Sequence, residues 1–103
     1  GKVAEAQPHI DHAVALAPTD PRILDTAGLV YLELGKASEA VEMLRKAAGA
    51  MPDNGEVSLH LAQALTRAGN RDEARAVLTR LLAKGGQFAE RAEAEKLLKL
   101  IQP

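Results

Sequence analysis

Apolar residues recur every three or four positions along this chain, in short blocks separated by turns rich in Gly, Pro, Asp and Asn. That spacing predicts helices with one buried stripe each, and no segment alternates long enough for a strand. A first helix is expected over 2–17, with Val3, Ala6, Ile10, Ala13, Val14 and Ala17 on its stripe. Pro8 lies inside it and lacks an N–H, so the helix is expected to bend there or to begin near Ala4. Pro18 and Pro21 bracket a turn in which Thr19 or Asp20 is placed to cap the next helix. That second helix is expected over 21–34, with Leu24, Ala27, Gly28 and Tyr31 buried and Gly35 ending it in a left-handed conformation.

A third helix is expected over 37–50, with Ser38 as a candidate cap and Ala40, Met43, Leu44, Ala47 and Ala48 facing inward. After the turn Met51-Pro52-Asp53-Asn54, with Asn54 as cap, a fourth helix is expected over 55–68, burying Val57, Leu61, Ala62 and Leu65. Gly69-Asn70 closes it. A fifth follows from 71 or 72 to 84, with Ala74, Val77, Leu78, Leu81 and Leu82 inside. Gly85-Gly86 breaks the chain before a sixth helix at about 87–101. Its apolar positions include Phe88, Ala92, Leu97, Leu98 and Ile101, and its other face carries Glu90, Arg91, Glu93, Glu95, Lys96 and Lys99. Such a helix suits the open end of a stack.

The blocks repeat. Gly1, Gly35 and Gly69 lie 34 residues apart, as do Glu5, Glu39 and Glu73; Ala6, Ala40 and Ala74; and Ile10, Leu44 and Leu78. The small members have a physical role: Gly28 or Ala62 on one helix, and Ala40 or Ala74 on its partner, let the axes approach closely. Composition agrees. Hydrophobic residues make up 47% of the 103 and aromatics only 2%, so the core must be built from Leu and Ala with Val and Ile.

The pattern resembles the tetratricopeptide repeat, a 34-residue helix–turn–helix unit. The closest unit is 21–54, where Leu24, Ala27, Gly28, Tyr31, Ala40, Leu44, Ala47 and Pro52 match the family's pattern. The next, 55–88, keeps Leu61, Ala62, Leu65, Ala74 and Leu78, and departs at Ser58, Leu81 and Gly86. Ahead of them stands a second half-unit, with Ala6, Ile10, Ala13 and Pro18. The resemblance implies an all-α, right-handed solenoid of antiparallel helix pairs: about two and a half units and a C-terminal capping helix, in a single domain over 1–103. Gly1 matches the glycine that ends a first helix, so a fragment of a longer protein is expected. Residues 62–101 are also similar to the C-terminal end of long bacterial tetratricopeptide proteins associated with exosortase and exopolysaccharide systems.

First helices of this family line a concave groove that takes an extended peptide or a partner helix. The resemblance places Arg22, Asp25, Thr26, Leu29, Leu32 and Glu33 of the second helix there, with Glu56, Leu59, His60, Gln63, Thr66 and Arg67 of the fourth. Leu29, Leu32 and Leu59 are off the core stripe and are expected to form an apolar contact patch. The family's Lys–Asn–Arg clamp for a terminal carboxylate is absent, since its positions read Asp25, Leu29, Leu59, His60 and Gln63. Arg22 and Arg67 remain as candidate anion contacts.

Other chemistry finds little support. Thirteen basic and fourteen acidic residues give a net charge of −1, which argues against a nucleic-acid partner, including RNA read by helical repeats. There is no Cys, so disulfides and thiolate metal sites are excluded and either redox compartment is compatible. His9 and His12 sit at i, i+3 beside Asp11, without a third ligand at motif spacing, and are read as surface residues. Ser38 and Ser58 have no His partner, and Gly85-Gly86 lacks the Lys and Ser/Thr of a phosphate loop. Catalysis, a cofactor and a metal are therefore not expected. No run approaches a membrane span. The expected function is protein–protein interaction, with an oligomerisation module without its own ligand as the alternative. A helix 2–17 lacking its partner would leave Val3, Ile10 and Val14 exposed and favour a homodimer.

Overall fold

The computed structural model describes residues 1–84 and 88–102. Six helices follow in order: α1 (Lys2–Leu16), α2 (Pro21–Glu33), α3 (Ala37–Ala50), α4 (Gly55–Arg67), α5 (Arg71–Leu82) and α6 (Arg91–Ile101). There is no strand among the described residues. Connections of three or four residues join the first five, which forces neighbours to fold back on one another. Each helix packs on its sequential neighbours, and α2 also meets α4 as α4 meets α6. The result is an all-α solenoid in which α2, α4 and α6 form one row, and α3 and α5 the other.

The helix ends follow local chemistry. The Arg22 N–H donates to Asp20 Oδ1 at 3.0 Å, and Pro21 opens α2 where its missing N–H costs nothing. The Val57 N–H donates to Asn54 Oδ1 at 3.1 Å and starts α4. Gly35 (φ 79°) and Gly69 (φ 86°) take the left-handed turn that closes α2 and α4. Around Gly35 the Lys36 and Gly35 N–H groups donate to the Tyr31 and Leu32 carbonyls at 2.9 and 3.1 Å; Asn70 and Gly69 repeat this on Leu65 and Thr66.

Four expectations need correction. Ser38 does not cap α3, because that helix begins at Ala37 and Lys36 occupies the cap position without a side-chain bond. The helix α1 does not wait for Ala4 but runs from Lys2 through Pro8. It has no buried residue, and Ala4, whose carbonyl Pro8 deprives of its N–H partner, is exposed. The last helix starts at Arg91, after a turn at Ala89-Glu90, and its buried alanine is Ala94 while Ala92 is exposed. The expected break at Gly85-Gly86, and Gln87 as a helix start, lie outside the described residues.

The core is aliphatic. Leu44, Leu65 and Leu78 are fully buried, as are Ala40, Ala62 and Ala74 between the helices. On Gly28 an added Cβ would stand 2.5 Å from Leu44 Cγ, which is why this position has none. The central helix α4 buries the most side chains: Val57, Leu59, Leu61, Ala62, Ala64 and Leu65. It packs against α2, α3, α5 and α6.

Candidate functional site

The row α2–α4 presents the predicted groove residues. Asp25 stands just over one turn into α2, while Glu56 and His60 stand one turn apart near the start of α4. The capped helix starts bring these turns level. His60 Nδ1 lies 2.9 Å from Asp25 Oδ1, and because a carboxylate only accepts, the imidazole N–H donates. Both side chains are largely enclosed, His60 at 17% and Asp25 at 14% exposure. Glu56 is exposed, at the α4 N-terminus where the helix dipole favours a carboxylate. Donor atoms of Asp25, Glu56 and His60 all lie within 4.8 Å of one another.

Farther along, Leu29 and Gln63 are half-buried on facing helices. The Thr66 hydroxyl donates to the Ala62 carbonyl at 2.7 Å and the Thr26 hydroxyl to the Arg22 carbonyl at 3.0 Å, so both are committed to their own helix backbones. Arg67 reaches across to the Leu32 carbonyl at 3.5 Å. Arg22 and Glu33 project into solvent.

The expected apolar patch is only partly exposed. Leu32 is 6% exposed and Leu59 4%, and both belong to the main core cluster. The physical reason is the row itself: each first helix packs on its own second helix and also on the next first helix, so it buries two flanks where a single stripe was expected. Leu29 alone of the three leucines remains half-buried.

Away from the groove, the Tyr31 hydroxyl donates to the Asp11 carboxylate and ties α2 to α1. That hydrogen bond, helped by burial and the nearby negative charge, raises the Tyr31 pKa above the ordinary tyrosine value. The Lys36 ammonium lies 5.7 Å above the same ring and donates to Gln7 Oε1 at 3.4 Å. His9 and His12 are exposed on α1, and the carboxylate between them is the one Tyr31 holds. A cleft of about 680 Å³ opens on the α3–α5 side, lined by Arg45, Glu73, Arg80 and Lys84 among others. Ser58 and Leu61 of α4 also line it, but none of the predicted groove residues does. The signal that sequence reading passed over is Glu56 and His60 at i, i+4, with Asp25 one repeat earlier.

A tetratricopeptide repeat family model matches residues 31–98. The tetratricopeptide repeat and J domain-containing co-chaperone DNJ1 of Fusarium oxysporum f. sp. lycopersici is 33% identical over 97 residues, which is 92% of this chain and 19% of that protein. Cellulose synthase operon protein C of Pseudomonas fluorescens is 55% identical over 42 residues, 41% of this chain and 3% of that protein. The chain thus spans under a fifth of either curated relative. Among solved structures, MamA (MSR-1) superposes with a TM-score of 0.82 at 26% identity, covering 98% of this chain and 56% of that one. The Yersinia enterocolitica type III secretion chaperone SycD, in complex with a peptide of the translocator YopD, gives a TM-score of 0.82 at 19% identity, covering 98% and 80%.

Proposed function

Because the chain belongs to the tetratricopeptide repeat family, we propose that it is a protein–protein interaction module whose α2–α4 row receives an extended peptide or a partner helix. The observation that carries this reading is the half-buried strip of Leu29, His60 and Gln63 on α2 and α4, the latter packed against α2, α3, α5 and α6. Such a strip offers apolar area next to polar groups that set orientation, on a surface that needs little reordering to bind. SycD, of the same fold, is known with a bound peptide. The terminal-carboxylate clamp has no counterpart here, so an internal segment fits better than a chain end. Nothing in the proposed role requires catalysis.

The test is selection from a random peptide display library against the wild-type chain. The selected peptides are expected to bind Leu29→Glu/Gln63→Glu at least about ten times more weakly, a cost of roughly 1.4 kcal/mol or more. They should bind Arg80→Glu, on the α3–α5 side, as well as wild type. Equal binding to wild type and to the Leu29→Glu/Gln63→Glu variant removes the groove from the proposal.

A second reading, assembly with another copy, has its own observation. Helix α1 has no buried residue, and Leu16 at its end is 73% exposed. The relation to exopolysaccharide systems rests on the 42-residue match and concerns the C protein of a cellulose synthase operon; as a setting for this chain it is a proposal.

A further inference from the structure

We propose that Asp25, Glu56 and His60 form a site for one divalent transition-metal ion, with Zn²⁺ the representative case. The inference is independent of whether a peptide occupies the groove. Three features carry it. The donors come from two helices, Asp25 from α2 and the i, i+4 pair Glu56 and His60 from α4, and all lie within 4.8 Å of one another. Donors on one ion at bond lengths of about 2.0–2.2 Å stand roughly 3–3.5 Å apart. Asp25 Oδ1 and His60 Nδ1 already stand 2.9 Å apart, and exposed Glu56 is free to swing the remaining distance.

The charges point the same way. Two carboxylates converge on one imidazole, and among the described residues neither pairs with a Lys or Arg. His60 Nδ1 is engaged with Asp25 Oδ1, and Glu56 has no ion-pair partner among the described residues. An ordinary ion pair between repeats needs Asp25 and His60 only; the third donor is what a metal adds. The ion replaces the proton shared by Asp25 and His60, which leaves to solvent, so Nδ1 and Oδ1 both turn their lone pairs to it. One imidazole with two carboxylates suits borderline divalent ions better than Cu⁺ or other soft ions. Three protein donors leave a coordination position for water or another ligand.

His9 and His12 on α1 are exposed and would blur a titration, so the test starts from the full chain carrying His9→Ala/His12→Ala. Calorimetric titration with Zn²⁺ should give one site per chain with a Kd in the micromolar range. Adding His60→Gln should abolish that site, and adding Glu56→Gln should weaken it by about tenfold or more. Glu56 is exposed, so its substitution leaves the fold intact even if His60→Gln does not. No heat with the His9→Ala/His12→Ala chain at about 100 μM Zn²⁺ overturns the proposal. So does a Kd that Glu56→Gln leaves unchanged.

Discussion

Asp25 and His60, 35 residues apart in the chain, meet at 2.9 Å and join α2 to α4. The pair is mostly enclosed, so its hydrogen bond is weighed against partial desolvation of both groups. A net worth of about 0.5–1.5 kcal/mol is expected for such a bond. A double-mutant cycle on Asp25→Ala and His60→Ala, read by urea unfolding with a chelator present, should give a coupling energy in that range. Additive single effects would mean that the two groups merely lie close.

Gly28 and Leu44 make the second specific relationship. An added Cβ on Gly28 meets Leu44 Cγ at 2.5 Å and its two Cδ atoms at 2.9 and 3.0 Å, and Leu44 is fully buried. Helix propensity alone would favour alanine by about 1 kcal/mol. Overpacking costs about 1–3 kcal/mol, so it wins and Gly28→Ala is expected to lower stability. Combining it with Leu44→Val should cost less than the sum of the single changes. A Gly28→Ala chain as stable as wild type would mean that α2 and α3 separate at little cost.

Tyr31 is the only tyrosine in the chain, so its ionisation can be followed by absorbance without interference. Hydrogen bonding to Asp11 raises its pKa, so the neutral hydroxyl is favoured in the folded state. The sign follows from linkage. The contribution to stability is fully present below the unfolded value near 10 and is lost as pH rises through the higher folded pKa. The spectroscopic titration should therefore fall above the ordinary tyrosine range and move back down in Asp11→Ala. A midpoint that Asp11→Ala does not move would remove the hydrogen bond as the cause.

What the sequence made legible is what short-range chemistry decides. Asp20 and Asn54 as caps, and Gly35 and Gly69 as left-handed closures, follow from backbone needs within one turn. The alternation of Gly28 and Ala62 with Ala40 and Ala74 follows from the close approach of paired helices. Leu32 and Leu59 were illegible because a single-helix period shows one buried stripe, whereas packing between repeats buries a second. The start of α6 was misplaced because Phe88 continues the apolar spacing while the backbone turns at Ala89-Glu90 before Arg91. The Asp25–Glu56–His60 group needs the stagger between repeats: 25 and 60 differ by 35, one more than the period, so superimposing units in register does not pair them.

Helix α1 supplies the last prediction. Val3, Ile10 and Val14 are half-buried, Val14 beside Leu24 of α2 and Met43 of α3, and Leu16 is 73% exposed at the helix end. In a solenoid an uncovered helix flank is where another helix packs. Burial gains about 25 cal/mol per Å² of apolar surface, so a few hundred Å² on each of two copies offers several kcal/mol before the cost of association. The isolated chain is therefore expected to dimerise at micromolar concentration through α1. Light scattering on eluting protein should give twice the chain mass of 10.9 kDa, and Ile10→Glu/Leu16→Glu should return it to one. A wild-type chain that stays monomeric under those conditions would leave α1 as an uncovered end with no self-association role.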